Sequence, residues 1–415
     1  MKHYVIVGNG IAAAGCIEGI RSADRTADIT VLSAERHPVY CRPLISYYLE
    51  GKTDLSRLPY RPDGFYEDNR CTVRYGCSAV RLDPQQKELT LDDGSRLSYD
   101  AVCVAAGSSP FVPPMEGLDT VPSAHAFMTW DDALAIEREL RPDSRVLIVG
   151  AGLIGLKCAE GLCGRVGSLT VCDLADRILS SILDTESAAL LQRQLERHGV
   201  SFRLGDSAAR FEGNTAYMRS GAAVPFDLLI LAVGVRANTA LVREAGGACG
   251  RGITVDSAMR TSLPDVFAAG DCTEAVDVSD GTVRVMALLP NAYRQGHCAG
   301  INMAGGNDVF DDAIPMNSIG FFGCHAMTAG SRPTPEQGGE VYEESDGEHL
   351  KRLFLRDGRL VGYILIGAVE RAGIYTDLIR SRMPLAEIDF ENLKKNPNLS
   401  AFPSIYRRKI LGGVV

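Results

Sequence analysis

Two glycine-rich turns, each set between a short apolar run and a helical run, predict an α/β chain built on two βαβ units. An Asp-Gly pair between two longer apolar runs near the C-terminus predicts a further α+β domain. The 415 residues allow two or three domains at about 150 residues each. Composition agrees: 46% apolar and 23% charged residues are ordinary for a globular chain and argue against disorder, collagen-like repeats and coiled coil. Lys and Arg number 43 against 52 Asp and Glu, and the net charge of −9 argues against a general nucleic-acid binder. No run approaches the roughly 18 apolar residues of a membrane helix.

The first unit opens on Tyr4-Val5-Ile6-Val7, a buried-strand pattern. Lys2 and the apolar run after it have the outline of a signal peptide. Gly8, Asn9 and Gly10 interrupt it and Glu18 follows, so strand, turn and helix is the reading. The turn is Gly8-Asn9-Gly10-Ile11-Ala12-Ala13, and the helical stretch continues through Ile20. The first glycine permits a tight turn, and the second lets backbone approach a pyrophosphate. The third position, here Ala13, must be small so that helix packs on strand. The helix N-terminus then offers free N–H groups and a positive dipole end. A second strand, Ile29–Leu32, leads to Glu35, a carboxylate placed for ribose hydroxyls. Pro110, Pro113 and Pro114 mark a seam before a helical stretch over 129–140.

The unit then recurs. Arg145–Val149 is its strand, Gly150, Gly152 and Gly155 form its turn, and its helix runs toward Leu162. The next strand, Leu169–Cys172, ends at Asp173. An acid here accepts from a ribose 2′-hydroxyl and repels a 2′-phosphate, which favours NADH over NADPH; Arg177, four residues on, pulls the other way. Two Rossmann-like dinucleotide-binding domains are expected. From about 313 the balance shifts, because residues 313–415 carry 13 Lys and Arg against 12 Asp and Glu. There Leu350–Leu355 and Leu360–Ile366 flank Arg356-Asp357-Gly358-Arg359, the hairpin signature of the α+β domain. The twelve cysteines are scattered, several in apolar runs, which reads as mostly buried free thiols in a reducing cytoplasm. The seven histidines stand in no metal-ligand spacing, so no metal is expected.

Two further motifs accompany the glycine turns: Ala105-Ala106-Gly107-Ser108-Ser109-Pro110 after the strand Ala101–Val104, and Thr261-Ser262-Leu263-Pro264-Asp265-Val266-Phe267-Ala268-Ala269-Gly270-Asp271. In this order, over roughly residues 1–310, the chain resembles the FAD-dependent pyridine nucleotide-disulfide oxidoreductase superfamily. The resemblance implies an FAD-binding domain of residues 1–112 and 242–312, an inserted NAD-binding domain of 113–241, and a C-terminal α+β interface domain of 313–415 that often forms a homodimer. By motif, the first turn with Ala106, Gly107 and Gly270 would hold FAD. Asp271 would bond the ribityl chain, Glu35 the adenosine ribose, and the backbone of Ala79 the adenine. Leu289 to Ala292 would start a helix aimed at the flavin pyrimidine, and Gly234 would line the NAD site.

The family divides by what receives the electrons. Its dithiol members carry CxxxxC beside the flavin. Here Cys158 and Cys163 have that spacing but lie on the helix after the NAD turn, about 140° apart around it. Single-cysteine members place one Cys five residues before a Tyr-Leu-Glu-Gly-Lys segment, and that position is here Pro43 rather than Cys41. The run Glu35…Tyr40-Cys41-Arg42-Pro43…Ser46 instead resembles the rubredoxin- and ferredoxin-reductase branch, in which Arg42 would serve the FAD pyrophosphate. The flavin portion of nitrite reductases is similar too. That branch pairs a Lys after the Ser with a Glu after the NAD turn, and here those positions hold Tyr47 and Lys157. Lys157 could tune the flavin, contact nicotinamide or be a solvated helix lysine. The implied activity is hydride transfer from NADH to FAD, then electron transfer to a small redox protein of rubredoxin or ferredoxin type. Its docking face would be the near-neutral third domain ending in Arg407-Arg408-Lys409. The alternatives are an NADH oxidase or thiol/CoA-disulfide reductase using Cys41, and a non-turnover sensor or flavin subunit of a complex.

Overall fold

Strand β1 (His3–Val7) is buried from Tyr4 to Val7, as a parallel strand covered on both faces must be. The computed structural model containing it describes residues 1–410, the side chains of 409 and 410 apart. From β1 the chain turns through Gly8–Gly10 into α1 (Ile11–Ala23) and returns in β2 (Asp28–Ser33). A short helix α2 (Leu44–Leu49) precedes β3 (Cys71–Tyr75), and β4 (Ala101–Val104) follows a small antiparallel sheet. The chain then builds a second sheet with β5 (Ala124–Ala126), α3 (Trp130–Glu139), β6 (Arg145–Val149), α4 (Leu153–Leu162), β7 (Ser168–Asp173), α5 (Thr185–Arg197), β8 (Val200–Leu204) and β9 (Leu228–Leu231). It afterwards completes the first sheet with β10 (Val266–Ala268), followed by α6 (Leu289–Met303).

The first sheet has the order β10-β4-β1-β2-β3 and the second β5-β9-β6-β7-β8, every pairing parallel. Each βαβ unit therefore sits mid-sheet, and its glycine turn lies at the carboxyl end of the central strand, where open α/β sheets bind ligands. Thr129 caps α3 in a reciprocal capping box with Asp132, which explains why the helix starts where the sequence expects.

Packing divides the chain into two units: Met1–Ser181 with Leu195–Ala275 and Arg284–Asp311, and Ile182–Gln194 with Val276–Val283 and the chain from Asp312. The second unit is a five-stranded antiparallel sheet, in order β11 (Met316–Phe321), β12 (Cys324–Gly330), β15 (Arg359–Ile366), β14 (Leu350–Arg356) and β13 (Glu340–Ser345), with α7 (Ala372–Ser381) packed on it. The expected hairpin is β14–β15, and Asp357 and Gly358 take φ of 52° and 65°, the double left-handed turn that matches strand twist. Two segments depart from the expected boundaries. Residues 182–194 join the C-terminal unit because Arg352 pairs with Asp184 and Glu186, and 276–283 join it through Val278 N on Ala313 O. None of the cysteines is paired; six are buried and six half-buried, so full burial holds for half of them rather than most. Among the described residues no helix is long and apolar enough to cross a membrane.

Candidate functional site

The two glycine turns share one geometry. Gly8 and Gly150 take φ of +112° and +118°, and a Cβ on either would lie 2.1 and 2.2 Å from the carbonyl oxygens of Ala105 and Ala232. Only glycine allows that conformation and that close approach of strand to strand. Gly10 and Gly152 are the N-caps of α1 and α4, and a Cβ on either would meet nothing within 4 Å. Both helices thus begin with uncapped N–H groups facing open space, the arrangement that receives a pyrophosphate. The third positions pack: Ala13 is fully buried, and a Cβ on Gly155 would lie 2.0 Å from Gly150 O.

Above the first turn lies a cleft. Gly8, Gly10, Glu35, Arg42, Ala106, Gly107, Gly270, Asp271, Leu289 and Ala292 line it, ten residues that the family resemblance assigns to FAD. Ala13 and Ala79 do not; Ala79 opens a short strand and packs with Cys77 on the core below. Glu35 stands at the lip with its carboxylate held at both oxygens, by Arg42 Nη2 at 2.5 Å and by the Tyr40 hydroxyl at 2.7 Å. The same hydroxyl accepts from Trp130 N at 3.0 Å, and Arg42 Nη1 donates to Met128 O at 2.9 Å, so the lip is tied to the start of α3. Burial pushes the Tyr40 phenol well above its ordinary range, keeping it a donor to Glu35. On the floor, Asp271 makes no side-chain hydrogen bond among the described residues, and burial pushes its carboxyl up against the opposing pull of Arg42. An acceptor without a donor, two helix N-termini and a cation around one cleft fit a dinucleotide with a polyhydroxyl chain.

Sequence reasoning missed part of this lip. His37 lines the cleft and stacks on Trp130 with ring centroids 4.5 Å apart, while its Nε2 meets Asp131 at 2.9 Å. Asn9 lines it too, holding His37 O and the Tyr66 hydroxyl. Asn9 lies within the first glycine turn, but the stacking of His37 does not follow from spacing, because Trp130 lies far along the chain.

At the second turn Asp173 accepts from Ala151 N at 2.7 Å and Ala175 N at 2.8 Å, which sets its carboxylate beside the phosphate cradle with lone pairs to spare. Gly234 takes φ of +123° in the loop after β9, and its carbonyl accepts from Phe111 N. Tyr47 and Lys157 come together, with Lys157 Nζ 4.9 Å from the Tyr47 ring centroid. They meet because α2 and α4 touch at Gly161, where a Cβ would lie 2.8 Å from Ser46 O. Lys157 is no solvated helix lysine: its side chain is 18% exposed and paired with Glu160, which is buried. Neither residue lines the cleft, nor does Cys41, whose thiol burial pushes up, away from the thiolate a nucleophile needs. Cys158 is fully buried and Cys163 donates to His198 O, so the two thiols are not partners. Among the described residues no group of His, Cys, Asp and Glu converges as a metal site.

Comparison with known proteins agrees with this geometry. Residues 2–296 match the family model described as pyridine nucleotide-disulphide oxidoreductase. The chain is 32% identical over 394 residues to the NADH-dependent phenylglyoxylate dehydrogenase subunit epsilon of Aromatoleum evansii, covering 93% of each. It is 31% identical over 374 residues to the assimilatory nitrate reductase electron transfer subunit of Bacillus subtilis, covering 88% of this chain but only 48% of that protein. In fold it is similar to the crystal structure of the covalent putidaredoxin reductase–putidaredoxin complex, with a TM-score of 0.86 at 22% identity and 96% of each chain covered. With two matched dinucleotide cradles in one chain and the family pattern running through both, the chain belongs to the pyridine nucleotide-disulphide oxidoreductases and is an FAD-dependent NAD(P)H oxidoreductase.

Proposed function

We propose that the chain takes hydride from NADH at the second cradle and delivers electrons from FAD, held in the first, to a small redox protein of rubredoxin or ferredoxin type. The observation that carries this reading is a cleft over the first cradle with no cysteine on its lining, in a chain whose second glycine turn repeats the first one's geometry. Bound FAD supplies the conversion between hydride transfer and single-electron transfer. The chain's residues supply position and charge. The α1 N-terminus and Arg42 neutralise the pyrophosphate, Glu35 takes the adenosine ribose, and Asp271 accepts from the ribityl chain. The α6 N-terminus, at Leu289 to Ala292, lends its dipole to negative charge at that end of the cleft. Lys157, held by Glu160 and Tyr47, supplies the cation that the resembling branch draws from the other side. Asp173 disfavours a 2′-phosphate and so favours NADH over NADPH. The free thiols suit a reducing cytoplasm.

Near end-to-end similarity to a dehydrogenase subunit supports a second reading, in which the acceptor is a fixed partner in a complex rather than a diffusing protein. Anaerobic reduction with stoichiometric NADH, followed by admission of air, tests the first. Bleaching of the flavin band and slow reoxidation are expected. Fast repeated turnover with oxygen would make the chain an oxidase, with Cys41→Ser the next variant. No bleaching would overturn the NADH reading.

A further inference from the structure

A second cavity, of about 230 Å3, lies wholly within the C-terminal unit. Three stretches of chain line it, Arg359 and Arg382 among them being exposed to solvent, and backbone bonds fix those stretches. Leu385 N donates to Gly358 O at 2.9 Å and Arg359 bridges to Pro384, so the segment after α7 is tied to the β14–β15 turn. Val278 N donates to Ala313 O at 2.9 Å and Ser331 Oγ to Ser279 O at 3.4 Å, which ties on the stretch 276–283.

The cavity's chemistry is two-sided. Its apolar wall includes Val278, Leu360 and Ile379, all buried. Its polar lining includes Arg356, Arg359 and Arg382. Two acids share the lining. Asp280 is engaged in its own turn, accepting from Thr282 N and Oγ1 at 2.9 and 2.6 Å, and Asp357 lies 3.9 Å from Arg356 Nε. Arg352 of the same unit, by contrast, meets three carboxylates, while the Arg359 and Arg382 side chains have no partner among the described residues.

Arg382 shares a left-handed backbone with Asp357 and Arg371 of the same unit, but Arg371 donates to Pro397 O whereas Arg382 has no side-chain partner among the described residues. It closes α7 in the left-handed region, at φ 51° and ψ 35°, where glycine is the least costly residue. An L side chain there destabilises the fold, and an unpaired guanidinium does not offset that cost by any internal bond. We propose that Arg359 and Arg382 form a binding site for a small organic anion, with a carboxylate or phosphate on the arginines and an apolar body on the wall. The planar guanidinium fork matches two oxygens of either group.

Titration calorimetry of the FAD-loaded protein with benzoate, and separately with inorganic phosphate, tests this against Arg359→Gln and Arg382→Gly. At least one probe is expected to bind, and each substitution to weaken it about tenfold or more, as the loss of a charge-assisted hydrogen bond does. NADH affinity should not move. Tighter benzoate points to a carboxylate ligand, tighter phosphate to a phosphorylated one. Arg382→Gly also separates site from scaffold: glycine relieves the left-handed position, so Tm holds or rises while binding falls. A falling Tm would assign Arg382 to the fold and overturn its part in the site. Binding of neither probe, or binding untouched by either substitution, overturns the proposal outright.

Discussion

Asp271 is a carboxylate that lines the cleft and whose burial costs the ligand-free fold. Burial raises its pKa, so the folded chain without FAD holds that proton more tightly than the unfolded chain does. The sign follows: the group favours folding below the ordinary carboxylate pKa of about 4 and penalises it as pH rises through the raised value. Asp271→Asn is therefore expected to raise the Tm of the FAD-free protein at pH 7, with the gain vanishing as pH falls below about 4. The same variant should bind FAD about tenfold more weakly, because a hydroxyl then meets a neutral acceptor. Melting curves across pH, with and without FAD, check both arms; a variant less stable at pH 7 would remove the argument. Glu35 differs from Asp271 in being held on both oxygens, by Tyr40 and Arg42, so its orientation is set before ligand arrives. Lys157 shows what residue identity alone conceals. Its position reads as a lost acid, and the structure finds its cation paired with Glu160 one turn further along the helix.

Helices α1 and α6 meet backbone to backbone, and four glycines make that possible. A Cβ on Gly15 would lie 2.3 Å from Tyr293 O, on Gly19 2.2 Å from His297 O, on Gly296 1.9 Å from Ala12 O, and on Gly300 2.2 Å from Cys16 O. Each pair is spaced by four residues, so both glycines of a helix share one face. The first turns of these two helices supply opposite walls of the cleft, through Gly10 and Ala12 and through Leu289 and Ala292. Gly296→Ala should force them apart, lowering stability by about 1–3 kcal/mol, as overpacking does, and releasing FAD. Urea unfolding and flavin retained on gel filtration are the measurements; an unchanged midpoint with full flavin would mean the helices yield freely. The spacing was visible in the sequence. Its partner helix, nearly 280 residues away, was not.

Across the whole molecule, two parallel sheets stand in one chain and share the order of four strands, β4-β1-β2-β3 and β9-β6-β7-β8, with β10 closing the first only after the second is complete. Such a chain needs no disulfide, and all twelve cysteines are free. Burial pushes up the thiols of Cys41, Cys158, Cys272 and Cys298, the last two to about 12. The native protein should thus react slowly with a thiol reagent at pH 8, and the denatured chain should yield twelve thiols without reductant. A lower count would reveal a pairing that the fold does not place. The sequence by itself determined the local things. Glycine turns, apolar strands, the Asp-Gly hairpin and the acids at strand ends are legible because each follows from the backbone conformation or burial of a few adjacent residues. Tertiary structure alone decided what depends on approach between distant segments. It stacked His37 on Trp130, set Lys157 over Tyr47, drew 182–194 and 276–283 into the C-terminal unit, and left Arg359 and Arg382 facing a cavity. The physical reason is that periodicity and turn chemistry act over a few residues, whereas packing and charge pairing act through space between residues whose separation along the chain carries no signal.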